Sequence, residues 1–234
     1  MLTDDLLELQ RIDTTADQLA HRRAQLPERV AAAEAAASLQ ANRRRRAEAV
    51  ARDEELELAI GVLERDGDSL LTQRTRLEAQ LRRVIAPREA EALMHELATI
   101  AQRRDELDDQ ELAFLDEQSE LAGEVARLDD ALPELEAAAA AAAATLAAAE
   151  SSIAQELAAL ATERTGLVGG LDTAVVERYE FLRSRLGGVA VAKLDGSRCS
   201  GCHLDLSRSE LDAVRHVGAG EFADCPQCGR LLVP

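Results

Sequence analysis

VIAPRE, Val84 to Glu89, lies between two long stretches of heptad periodicity, and its reading decides what those stretches build. Downstream, apolar residues recur in steps of three, four and seven: Leu93, Leu97, Ile100, Leu107, Phe114, Leu121, Val125, Leu128, Leu132 and Leu135. The same register runs on through Ala139, Ala142, Leu146, Ala149, Ile153, Leu160 and Leu167, far beyond the few heptads that identify a coiled coil. Upstream, Leu56, Ile60, Leu63, Leu70, Leu77, Leu81 and Val84 keep that rhythm. Pro87 drives Ala86 out of the α region and suits the first position of a new helix, so the chain is expected to turn here.

Folding back near residue 86 sets a pairing that the rest of the sequence can be tested against. The eight-alanine run Ala137 to Ala144 then faces residues 28–35, and the other alanine-rich block, VAAAEAAAS, occupies residues 30–38. Small residues opposite small residues let helices approach closely. The basic run Arg43 to Arg46 falls opposite residues 126–129, beside Asp129, Asp130 and Glu134, which favours ion pairing between the helices over a nucleic-acid patch. Gly169 and Gly170, where the second helix is expected to end, fall opposite Leu2. A hairpin within one chain explains these matches without the partner that a two-chain coiled coil needs. Each arm of roughly 80 residues makes a rod on the order of 120 Å. Pro27 and Pro133 are expected kinks, and Arg104, Glu111 and Gln118 place polar groups at three successive seam positions, which predicts a wetter stretch.

Composition agrees with a rod and excludes a single large core. Aromatic residues are 2% of the 234, and three of the four (Tyr179, Phe181 and Phe222) lie in the last quarter. Of the formal charge of −17, residues 1–170 carry 35 acidic and 19 basic residues, whereas the remainder carries nine and eight. An acidic rod stays soluble and repels nucleic acid on average. The start, MLTDDLLELQ, has no basic and apolar signal-peptide regions, and Ala137 to Ala149, the longest uncharged run, is too short and alanine-rich to cross a bilayer. A cytoplasmic protein without membrane contact is expected, and its four cysteines are then metal ligands rather than disulfides.

Those cysteines are Cys199, Cys202, Cys225 and Cys228, in two C-x2-C pairs separated by 22 residues. Two such loops complete a tetrahedron of thiolates around Zn²⁺, and a closed four-thiolate shell leaves no position for water or substrate, so the zinc is structural. Gly201 and Gly229 suit the tight loops, and Pro226 stiffens the second. Upstream, Asp172 caps a helix that Gly187 and Gly188 end, and VAVAKL followed by Asp195 and Gly196 reads as a hairpin. SRSELDAVRH is helix-like, and EFAD and GRLLVP flank the second cysteine pair. The expected architecture is mainly α: a long antiparallel coiled-coil helical hairpin (residues 1–170, turn near 84–88) with a small C-terminal α+β zinc-ribbon module (171–234).

VIAPREAEALMHEL at the hairpin tip, with CSGCHLDL and CPQCGRLL in the tail, resembles the bacterial four-cysteine zinc-ribbon coiled-coil family of predicted nucleic-acid-binding proteins. The resemblance implies the same four metal ligands, and a nucleic-acid-binding or transcription-linked role, with RNA, DNA or a protein of the transcription apparatus as partner. Arg198, His203, Arg208, Arg215, His216 and Arg230 are the cations near the site that such a role would draw on. The module's near-neutral charge and its few aromatics give phosphate and base binding little support. The alternative is a protein-interaction adaptor with a purely structural zinc. No nucleophile triad, phosphate loop or open metal site points to an enzyme or a small-molecule substrate.

Overall fold

Pro87 is the first residue of a helix that runs unbroken for 82 residues. In the computed structural model, which describes residues 2–217 and 222–233, the elements are α1 (Leu2–Ala24), α2 (Pro27–Leu81), α3 (Pro87–Val168), α4 (Thr173–Arg185), β1 (Val191–Asp195), β2 (Arg198–Cys199), α5 (Arg208–Arg215), β3 (Ala223–Asp224) and β4 (Leu231–Val233). Glu221 of EFAD, and the chain ends Met1 and Pro234, lie outside the described residues. The chain forms the expected helical hairpin with a small strand module at its C-terminus. It divides into two compact units, Met1–Ala31 with Ala143–Pro234, and Ala32–Ala142.

In the unit of residues 32–142, α2 and α3 run antiparallel. Asn42 Nδ2 donates to the Leu128 carbonyl at 3.2 Å, Gln118 Nε2 donates to the Asp53 carbonyl at 3.4 Å, and Gly67 lies against the Arg104 guanidinium. As the position on α2 rises, its partner on α3 falls in step. Each apolar seam residue read from the heptads, from Leu93 to Ala142 and from Leu56 to Val84, is buried or half-buried. The basic run is paired as expected in kind: Arg46 with Asp129, Arg45 with Glu124 at 2.7 Å and Arg43 with Glu136 at 2.6 Å. Arg44 instead meets Glu48 one turn along its own helix. Arg104 and Gln118 make the seam polar as anticipated, each with an identifiable contact: Arg104 lies over a glycine, and Gln118 caps a carbonyl.

The two prolines act differently. Pro133 sits inside α3 without ending it. At Pro27 the first arm breaks into two helices instead of kinking: Leu26, which precedes the proline and is disfavoured in the α region, leaves the helix and is buried with Leu19 and Ile153. One 18-residue window of α3 has a mean hydropathy of 1.3 and at most two charged residues. By length and composition alone it is long and apolar enough to cross a membrane, and one such helix is weak evidence for a span. Only 6% of that window is buried.

The second unit gathers α1, the end of α3, α4 and the strand module. Asp172 caps α4 by accepting from the Ala174 amide at 2.8 Å, and Gly187 and Gly188, at φ 69° and 90°, turn the chain out of it. The four-stranded sheet has the order β2-β1-β4-β3. β1 and β2 form the expected hairpin, with Gly196 at φ 65° in its turn. β4 pairs parallel to β1, with Val191, Ala192 and Lys193 opposite Leu231, Leu232 and Val233.

Candidate metal centre

Each cysteine pair is folded by the same backbone device. The amide of Cys199 donates to Leu204 O at 3.1 Å, and that of Cys225 donates to Arg230 O at 2.7 Å. Four residues after each leading cysteine, an amide returns to its carbonyl: His203 to Cys199 and Gly229 to Cys225, both at 2.8 Å. That position needs a left-handed backbone in both loops, at φ 61° for His203 and 73° for Gly229. Glycine takes this conformation freely, whereas histidine takes it at a cost.

The two loops bring the four Sγ atoms within 4.8 Å of one another. Cys199 and Cys228 are 4.0 Å apart, and Cys202 and Cys225 are 3.9 Å apart. A tetrahedron with Zn–S arms of about 2.3 Å sets its edges near 3.8 Å, so the donor set fits one zinc ion. Cys199 and Cys225 are buried, with Ala192, Leu206, Val214 and Leu232 packed around them. Burial raises the Cys199 thiol and pushes Cys225 up to about 12. At Cys228 burial also opposes ionisation, but hydrogen bonds from the Arg230 amide and side chain, and from neighbouring thiols, outweigh it and bring the thiol to about 7. Zinc bound here would replace thiol protons and tie both loops to the sheet, with no protein-free coordination position for chemistry.

The cations singled out near the site differ in how they are held. Arg230 is half-buried and faces inward: Nε donates to Val189 O at 2.9 Å and a terminal nitrogen to Leu186 O at 3.0 Å, bracing the end of α4. Its Cδ passes over Gly201, where a Cβ would sit only 2.5 Å away. Gly201 is therefore required by close approach, whereas Gly229 is required by backbone conformation. Arg198 reaches Asp205 at 3.5 Å. Arg208 and Arg215 are exposed at the two ends of α5, which begins with a Ser207–Glu210 capping box. His203 and His216 are exposed, and His216 Nδ1 lies 2.7 Å from the Asp212 carbonyl.

Two residues that the sequence reading passed over support the module from α1. Gln10, 7% exposed, reads the backbone that leads into β1: its Oε1 accepts from the amides of Ala190 at 2.6 Å and Val191 at 3.2 Å, and its Nε2 donates to Gly188 O at 2.8 Å. Asp13, 3% exposed, accepts from the Tyr179 hydroxyl at 2.8 Å and from Arg164 Nε at 2.8 Å, with Arg183 at 3.5 Å and Glu180 on the far side of Arg164. Burial first, and then the hydrogen bond to Asp13, raises the Tyr179 ionisation. A signal was present: Leu6, Leu9, Gln10 and Asp13 share one helical face, and polar groups on a core-facing stripe must find partners.

Residues 9–187 match the CT398-like coiled coil hairpin domain, more than half of the chain, and residues 198–232 match the C4-type zinc ribbon domain. The chain belongs to the CT398-like coiled-coil hairpin family. Within this family's fold it is similar to an uncharacterized protein of Mycobacterium tuberculosis, Rv2229c, at 29% identity over 229 residues, 97% of this chain and 93% of the relative. A solved structure from Mycobacterium smegmatis covers 99% of this chain and 97% of its own, at 27% identity and a TM-score of 0.79. CT398 from Chlamydia trachomatis gives a TM-score of 0.83 at 23% identity, covering 99% of this chain and 96% of its own, which establishes the likeness of fold. The CT398-like hairpin here thus carries a C4 zinc ribbon with one structural zinc.

Proposed function

We propose that the chain is a non-enzymatic, cytoplasmic interaction protein, an adaptor whose zinc stabilises a head that meets a protein partner. The disposition of the cations around the metal supports this reading best. Arg230 is committed to the Leu186 and Val189 carbonyls and Arg198 pairs with Asp205, while Arg208 and Arg215 stand at opposite ends of α5. Phosphate binding draws on clustered, uncommitted cations. By contrast, apolar groups are exposed on this unit: Leu204 is 51% exposed, and Phe181 is 56% exposed with Arg185 over its ring. Membrane contact and a small-molecule substrate have no part in the reading.

A nucleic-acid-binding, transcription-linked role is the second reading, favoured by the exposure of Arg208, Arg215 and His203, none of which has a side-chain partner among the described residues. A gel shift with RNA and DNA at low and physiological salt, beside affinity purification with and without nuclease, separates the two. The adaptor reading expects a nuclease-resistant protein partner and no salt-dependent shift. A shift lost in an Arg208→Ala/Arg215→Ala variant would establish the second reading in its place.

A further inference from the structure

The turn between α2 and α3 reverses the character of the chain. Residues 82–88, RRVIAPR, hold three arginines and no carboxylate in a protein of net charge −17. Arg82, Arg83 and Arg88 are exposed and, among the described residues, have no side-chain hydrogen bond or ion pair. Elsewhere in the same unit Arg43, Arg45, Arg46 and Arg52 each engage a carboxylate on α3, whereas Arg65, Arg76 and Arg127, spaced apart along the helices, have no side-chain partner among the described residues. Between the unpaired arginines stands Ile85, 97% exposed, the highest exposure of any large apolar residue described. Beside it an open cleft of about 570 Å³ is lined by Val84, Ala86 and Leu93 together with Arg83 and Glu89.

An isolated apolar side chain on a surface needs no explanation. The combination does: an unshielded isoleucine, a notch beside it and three exposed arginines within seven residues, with Glu89 the one carboxylate in the lining of the notch. We propose that this turn is a docking knob for a protein partner presenting an apolar socket rimmed by carboxylates, with Ile85 as the inserted anchor and Arg82, Arg83 and Arg88 as the rim. Anchors that are desolvated in pockets carry most of the affinity of an interface, while rim charges act on association rate and salt dependence. A phosphate backbone would use the arginines but gain nothing from Ile85. A second copy of the chain would offer carboxylates along α2 and α3, of which Glu117, Glu124, Asp129, Glu136 and Glu150 are paired across the hairpin, and a crosslink between two copies is one of the outcomes tested below.

The inference rests on reading the chain as an interaction protein, and the experiment separates the two. A photoreactive amino acid is placed at position 85 of the full-length protein in its native cells, and the adduct is mapped by mass spectrometry. The expected adduct is one protein, crosslinked at an apolar pocket flanked by Asp or Glu. With that partner purified, Ile85→Asp should weaken binding by at least about tenfold. Triple Arg82→Gln/Arg83→Gln/Arg88→Gln should slow association and abolish its salt dependence, and Leu58→Asp, at a residue 75% exposed on the flank of α2, should change nothing. An adduct with nucleic acid, an adduct between two copies, no adduct, or binding that survives Ile85→Asp each overturns the proposal. Binding that survives Ile85→Asp but is lost in Cys199→Ser removes the knob and leaves the adaptor reading intact.

Discussion

The two compact units are held together by different physics. Residues 32–142 are a pair of helices with no third layer, and their fully buried residues are few and strung out: Asn42, Ala49, Leu56, Gly67 and Leu107. Most of that seam is only half-buried, so stability accumulates turn by turn, and cross-helix pairs such as Arg52 with Glu117 fix alignment more than they add strength. In the other unit α1, α4 and the sheet enclose Leu6, Leu9, Tyr179, Ala190 and Leu231, each 0% exposed. A short-range helical seam can lose one turn without losing the next. An enclosed core bolted by zinc, Asp13 and Gln10 yields as a whole.

Metal removal tests that contrast most severely. Chelation, or Cys199→Ser with Cys225→Ser, should take the zinc content from one per chain to none. Structural zinc in such sites is worth about 10 kcal/mol of folding energy, so amide protection should collapse through residues 191–233 and fall in α1. Protection across residues 32–142 should persist. Simultaneous loss in both units would break the comparison. Asp13→Ala comes next, at about 3 kcal/mol, because it leaves the Tyr179 hydroxyl and two partly buried arginines without their shared acceptor. Tyr179 is the sole tyrosine in a chain without tryptophan, so its emission in a denaturant titration reports this unit alone. The folded-state ionisation of Tyr179 is raised above its ordinary value of 10.0, so its contribution is intact below pH 10. That contribution should be lost as alkaline pH lets only the unfolded chain deprotonate.

Much of this division is legible in the residues themselves. Heptad steps from Leu93 to Leu167, a proline at residue 87 and two C-x2-C pairs are local or periodic signals, and the helical hairpin and clustered thiols follow from them. Less legible is whatever depends on residues distant in sequence. The parallel pairing of β1 with β4 joins Val191 to Leu231, and no local pattern specifies it. Gln10 serves a backbone nearly the whole chain away, and looked like one more polar residue on an amphipathic helix. Arg230 read as a surface cation because charge is visible in sequence, whereas the free carbonyls at the end of α4 that claim it are not.

Leu56 carries the same test into the two-helix unit. It is 1% exposed, and Leu56→Ala should cost about 2 kcal/mol, at the low end for a buried leucine because two helices can close partly over the gap. Exchange should quicken in residues 32–142 while zinc retention and Tyr179 emission stay as in the parent chain. A shift in either would mean that the units unfold together.

The smallest effect lies inside the ribbon, between its two cysteine loops. They share one hydrogen-bond pattern, yet the left-handed position holds His203 in the first and Gly229 in the second. A side chain with a β-carbon pays about 1 kcal/mol there, and glycine pays nothing. His203→Gly should therefore tighten zinc retention against a chelator by a few-fold, with Gly229→Ala loosening it by a similar factor. His203→Val should loosen it further than the parent, since branching at Cβ worsens the clash. Unchanged retention in His203→Gly would mean that the exposed imidazole returns what its backbone costs, and the first loop would then owe its shape to the side chain as well as to the hydrogen bonds that Cys199 makes.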